Sequence, residues 1–323
     1  MHRKPDAILR NLHGTEAFLA CEGASLTGLT LPGDGGQFVN VALTPRGPCD
    51  PSCAGATLAP YAGRLRGGLL CIGGRTLRLA VNEGPNQLHG GPNSLVHRPW
   101  RTQGVTRGDG WSEAAFEAEL DDGVDGYPGR RLFRTVYRLW DDGRLDITLE
   151  ARSDRLTVVN LSHHAYWNLS GDFSRPADGQ LIRVNADAVY LNGEGHLPVG
   201  VAACGEPPFD VAQLRPVMRA GEAENPQLAL ANGYNHAFRL HGGEEPAAEL
   251  LDPVSGRRLR LYTDQPCLVV YAGGYLTPAR CAVALEPQEH PRLAPDAPGP
   301  ALEPGAVYRR HIRYAFDRLT PPT

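Results

Sequence analysis

Several things this chain of 323 residues lacks limit what it can be. It has one lysine, Lys4, and two methionines; the other 31 basic residues are Arg, which reflects usage and carries no functional information. No apolar run approaches the roughly 20 residues that cross a bilayer as a helix. Residues 1–6 lead into no hydrophobic leader, so neither a membrane span nor a secretory signal is expected, and the natural location is cytoplasmic. An excess of one charge is also missing: 32 basic against 36 acidic residues give −4, spread along the chain. That balance argues against nucleic-acid and membrane-surface partners. Phosphate-binding loops, Gly-x-Gly-x-x-Gly turns and internal repeats are absent.

Cysteine is scarce and unpaired in pattern. Of seven, Cys21, Cys71, Cys204, Cys267 and Cys281 are isolated in sequence. Cys49 and Cys53 are four apart, but no second Cys or His pair completes the four ligands of a structural zinc. Free thiols and no metal are the expectation.

Glycine and proline are abundant, at 38 and 28. Both break helices and punctuate turns, so many short strands joined by many turns follow. Strand-like runs cover residues 24–31, 37–43, 131–139, 145–151, 156–169, 180–191, 257–262, 266–272, 280–285 and 308–316. Within 146–150 the odd positions are apolar and the even ones polar, the pattern of a strand with one wet face. The one candidate helix starts at Asp210 as N-cap and is cut short by Pro216. Composition does not shift along the chain. The expectation is an all-β fold, a single large sandwich domain over residues 1–323.

Five segments carry chemistry. If residues 159–169 form one strand, its period of two puts Asn160, Ser162, His164, Tyr166 and Asn168 on one face. Such a polar row fits the lining of a sugar cleft, and His164 is then either a ligand group or merely exposed. His163 falls among apolar neighbours and reads as a packed ring. Glu286 shares its face with Ala282 and Ala284, so there is space above a carboxylate whose proton affinity burial would raise toward general-base range; the alternative is an ordinary strand-end Glu in water. His89, in Asn86-Gln87-Leu88-His89-Gly90-Gly91, is flanked by glycines that let a ligand approach, or is a turn His without a task. Arg64 and Arg66 offer planar donors suited to hydroxyls or carboxylates. Asp125-Gly126-Tyr127-Pro128-Gly129 marks a tight loop.

In this order the segments resemble the aldose 1-epimerases, the galactose mutarotases. Asn86 to Gly91, Asp125 to Gly129, His163 to Leu169, Gly233-Tyr234-Asn235-His236-Ala237-Phe238, Leu285-Glu286-Pro287-Gln288 and Leu302-Glu303-Pro304-Gly305 with Tyr308 match the family's motifs. The resemblance implies a β-supersandwich with an open cleft, no cofactor, a monosaccharide as the only partner, a monomer or homodimer, and interconversion of α and β anomers of an aldose such as galactose or glucose. By position it makes Glu286 the general base and His164 the general acid. His89 and Arg64 become binding groups, and Asn235 and Gln288 sugar contacts. His164 would then have to be kept protonated by the nearby carboxylate.

The chain departs from the family at Asn235, where Asp is usual, which exchanges a charge for a neutral amide. His163 stands where Asn is usual and Ala165 where Thr is usual. In 59–64 the family's first Arg and its Asn are missing while Arg64 survives. Two other readings share the fold: a hexose-6-phosphate 1-epimerase, for which Arg66, Arg75 and Arg78 would supply phosphate contacts, and a non-catalytic sugar-binding protein.

Overall fold

Leu145, Ile147, Leu149 and Ala151 are buried while Asp146, Thr148 and Glu150 between them are partly exposed, so Leu145–Ser153 is the strand with one wet face that alternation predicts. In the computed structural model, which describes residues 4–47 and 49–319, this strand lies inside a nine-stranded antiparallel sheet. The order is Arg101–Gly108, Trp111–Leu120, Arg131–Trp140, Leu145–Ser153, Tyr308–Arg318, Arg257–Thr263, Ala248–Leu251, Leu181–Val184 and Arg215–Pro216. Its wet face is laced by cross-strand pairs such as Glu113 with Arg138, Glu150 with Arg309 and Asp146 with Arg313. Exposed pairs contribute roughly 0–1 kcal/mol each, so it is the buried face that holds the sheet.

A six-stranded antiparallel sheet carries the cleft: Tyr166–Trp167, Val283–Gln288, Cys267–Tyr271, Asn235–Leu240, Ala186–Asn192 and Pro198–Ala203. Every residue of Val283–Gln288 is buried. Val283 and Leu285 point into the main apolar cluster, beside Leu268, Val270, Ile147 and Tyr314. The opposite face presents Glu286 and Gln288 to a cavity. Pro287 falls beyond Val283 and Ala284, where the Tyr166–Trp167 neighbour has already ended, a stretch that tolerates a residue with no N–H. A four-stranded sheet from Ala7–Arg10 to Phe38–Asn40 joins the same cluster, which takes residues from Ala7 through Tyr314.

Three expectations are corrected. Residues 156–169 are not one strand but three two-residue pieces, Thr157–Val158, Ser162–His163 and Tyr166–Trp167, paired respectively with Ala301–Leu302, Thr57–Leu58 and Val283–Gln288. The polar row therefore has no common wet face. Asn160 donates to the Ala62 carbonyl and Asn168 to those of Asp172 and Cys281, satisfying backbone that would otherwise be buried unpaired. Residues 180–191 divide between the two large sheets as Leu181–Val184 and Ala186–Asn192. The helix at Asp210 is a turn, because that carboxylate is taken by Arg215 and Arg219. Among the described residues the one α-helix is Pro226–Ala229, with Asn225 capping Gln227 N–H at 3.0 Å and Pro226 in the first turn.

Gly55 fastens the cleft wall to the core. Its N–H donates to the His164 carbonyl at 2.9 Å and its carbonyl accepts from Leu26 N–H at 2.8 Å. Its φ is +71°, and a Cβ there would stand 1.8 Å from the Leu26 carbonyl oxygen. Gly55→Ala is expected to destabilise the fold by on the order of 3 kcal/mol. A urea midpoint equal to wild type would refute this.

Candidate active site

The cavity on the six-stranded sheet has a volume of about 820 Å³, and its lining includes Arg64, His89, His164, Asn235, Glu286 and Gln288, all six residues singled out from sequence. They reach it from separate elements. Glu286 and Gln288 come from one strand, Asn235 from the start of Asn235–Leu240, and Arg64 from the short strand Arg64–Leu65. That short strand pairs with Gln87–Leu88, which leads directly into His89.

At the centre, His164 Nε2 lies 3.6 Å from Glu286 Oε1, with both side chains almost wholly buried. The His164 ring stacks on Tyr166 at 4.7 Å between centroids and meets the His89 ring edge-on at 5.6 Å. Packed between two rings, the imidazole is held in one orientation toward the carboxylate. His89 has φ +50°. Its Nδ1 accepts from Gly63 N–H at 3.2 Å, which leaves the hydrogen on Nε2 as a donor. Gln288 Oε1 is buried without a protein partner, a vacant acceptor beside the same space. The Asn235 backbone is fixed by Asn192, whose side-chain amide donates to its carbonyl at 2.6 Å.

Burial governs the protonation of this pair. It pushes the Glu286 carboxyl up to about 8 from an ordinary 4.5, against a smaller opposing pull from the Arg64 charge. It pushes His164 down to about 3, with Arg64 adding to the fall. Burial in the free site therefore works against the expected protonation of His164, because removing water disfavours the charged form of each group. His89 is held well below its ordinary value by burial and by the charges of His164 and Arg64.

The Asp125 loop is more than a turn. Asp125 accepts from Asn93 N–H at 2.7 Å and from its amide at 3.0 Å, and buried Tyr127 donates to Gln87 Oε1. These bonds brace the segment that carries His89. Gly126 and Gly129 pack toward Arg78 and Ser153, so they do not form the cavity rim. Arg66, Arg75 and Arg78 are likewise outside the lining. Sequence reasoning missed Glu83, Tyr190, Asn192, His196, Tyr271 and Tyr275, which also face the cavity. Only Glu83 left a signal, standing six residues before His89 in the same turn.

A large antiparallel sandwich whose cleft sets a buried carboxyl group against an imidazole, with guanidinium and amide groups around them, is an arrangement capable of acid–base chemistry on a small polar molecule. The family model for aldose 1-epimerases matches residues 6–315. The chain belongs to the aldose 1-epimerase family. It is 31% identical to the Escherichia coli aldose 1-epimerase, over 95% of this chain and 94% of that protein. With the human galactose mutarotase it shares 30%, over 81% of this chain and 78% of the relative. Among solved structures, an aldose epimerase homologue from C. elegans superposes with a TM-score of 0.87 at 25% identity, covering 97% and 99% of the two chains. A galactose 1-epimerase from Lactobacillus acidophilus gives 0.86 at 28%, covering 96% and 93%.

A carboxyl that holds its proton in the folded chain and releases it in the unfolded one makes stability fall as pH rises from about 4.5 to about 8. Glu286→Gln removes that penalty. The variant is expected to be more stable than wild type by on the order of 3 kcal/mol at pH 7, with no advantage below pH 4. Thermal melts across this range test it; a variant that gains nothing between pH 4 and pH 8 would show that Glu286 ionises freely in the fold.

Proposed function

We propose that this chain, acting as a single domain, interconverts the α and β anomers of a free aldohexose without a cofactor, with Glu286 as base and His164 as acid. The observation that carries the reading is the buried pair itself, a carboxylate and an imidazole 3.6 Å apart facing one cavity. Glu286 takes the proton of the anomeric hydroxyl and His164 gives one to the ring oxygen; the bond from C1 to the ring oxygen breaks and an aldehyde forms. Rotation about the C1–C2 bond turns the other carbonyl face toward the C5 hydroxyl. On closure the transfers reverse: Glu286 returns its proton to the carbonyl oxygen while His164 recovers one from the attacking hydroxyl. Side chains supply both protons, so no metal or redox group has a step to perform.

The pair shares one proton throughout. Glu286 ionised with His164 protonated is the form that opens the ring, and Glu286 protonated with His164 neutral is the form left beside the open-chain aldehyde. Burial favours the second, so the site leans toward the intermediate. The bound sugar's hydroxyls, donating to Glu286, favour the first; the Arg64 charge favours ionised Glu286 but opposes protonated His164. Arg64, His89, Gln288 and Asn235 orient the ring. The lining carries Arg46 and Arg64 but none of the three arginines suggested for a phosphate, which favours a free aldose over a hexose 6-phosphate.

Anomer exchange on freshly dissolved α-galactose and α-glucose, followed by polarimetry or saturation-transfer NMR, tests the reading. Glu286→Gln and His164→Asn should each lower kcat/KM by about 10²–10⁴. Undiminished rates in either variant would overturn the assignment, and sugar binding without exchange in the wild type would favour the non-catalytic alternative. The one-proton pair is lost as pH rises through about 8, so kcat/KM should fall on an alkaline limb there. Asn235→Asp replaces a neutral contact by a charge-assisted one and should lower the KM for galactose by several-fold; an unchanged KM would place position 235 out of contact.

A further inference from the structure

Arg64 does not face the cavity as a free cation. Its Nε donates to Glu83 Oε2 and its Nη2 to Glu83 Oε1, both at 2.7 Å, in a two-pronged pair along one edge of the guanidinium. Both residues line the cavity, and the Arg64 side chain is mostly buried. Among the described residues Nη1, on the opposite edge of the planar fork, has no protein partner. Glu83 is itself fixed: its N–H donates to the Asn86 carbonyl at 3.0 Å and its carbonyl accepts from Asn86 N–H at 3.0 Å. Asn86 Oδ1 in turn accepts from Gly67 N–H, three residues beyond Arg64. One short hairpin unit therefore presents His89 to the cavity directly and holds Arg64 through Glu83.

We propose that Glu83 is the positioning residue for Arg64, gripping two guanidinium nitrogens so that the third meets the sugar hydroxyls, and offsetting the charge that Arg64 would otherwise project across the cavity onto Glu286. The inference rests on the acid–base reading of Glu286 and His164. An ungripped arginine keeps several rotamers and its full charge, whereas a carboxylate at bidentate distance selects one orientation and neutralises most of the field. The titratable groups that interact with Glu286 are His164, Arg64, Cys53, Tyr166, Tyr271 and, from the core side of the strand, Tyr314, and of these Arg64 alone carries a fixed positive charge. His196, which also lines the cavity, feels Arg64 and Glu83 with opposite signs, so the two charges oppose one another at a third cavity residue. Removing the Glu83 charge leaves the Arg64 charge unopposed and favours ionised Glu286, so the alkaline limb of the rate profile moves down in pH.

Glu83→Gln is expected to raise the KM for galactose about tenfold with kcat within about threefold of wild type, and to lower the alkaline limb by about half a pH unit. Glu83→Asp, which keeps the charge, should restore the limb and part of the KM. In an Arg64→Lys background, where the fork is gone, Glu83→Gln should raise KM no further. A KM and a limb both unchanged in Glu83→Gln, or the same KM increase with Lys at position 64, would overturn the inference. Glu286→Gln in the same assay separates the two failures: if it is inactive while Glu83→Gln behaves as wild type, the acid–base reading stands and the role of Glu83 falls.

Discussion

The proposed chemistry depends on keeping a carboxyl group out of water in the middle of a strand that is buried on both faces. Glu286 sits between Leu285, which belongs to the core, and Pro287, with small Ala284 two residues back on its own face. That setting raises its proton affinity, and the same desolvation lowers that of His164 opposite. Desolvation disfavours the charged form of both groups, and under the proposed mechanism the two share one proton that either can give or receive. The proposed ring-opening and ring-closing cycle would use this symmetry, because the same two groups would act in both directions.

Such a pair costs stability, and the surrounding bonds show how the fold keeps it. His164 is carried on backbone bonded to Gly55 and Ala56, and Gly55 is bonded in turn to Leu26 in another sheet. Rings of Tyr166 and His89 close on its imidazole from two directions. His89 rests on Gly63, while the segment before it is braced by Tyr127 and that after it by Asp125. Polar side chains around the cleft mostly serve backbone, as Asn160, Asn168 and Asn192 do, leaving few vacant donors and acceptors for a ligand. On the proposed reading, selectivity rests on a small number of atoms, among them Arg64 Nη1, His89 Nε2 and Gln288 Oε1.

The fold class was legible in the sequence because glycine, proline and alternation act locally. Residues 145–151 alternate and form the expected strand, and Gly-rich turns fall where chain reversals are needed. The region 156–169 was misread because a run of β-formers looks the same whether it pairs with one neighbour or with three. At Asp210 a plausible cap was overruled by Arg215 and Arg219, partners that lie beyond the turn and that no helix signal includes. Family motifs named the six cavity residues, yet Tyr271 and Tyr275 carried no local mark: Tyr271 is buried and reads as core from sequence, while exposed Tyr275 reads as surface loop.

The sequence by itself determined the all-β architecture, the candidates for the reacting groups and the departure at position 235, each of which is encoded in residue type and near spacing. Tertiary structure alone decided that Glu286 and His164, more than a hundred residues apart, stand 3.6 Å from one another, that burial disfavours the charged form of each, and that Glu83 holds Arg64. The physical reason is that proton affinity and charge pairing depend on solvent exclusion and on distance, and both are set by which distant strands come to lie together rather than by any residue's neighbours in the chain.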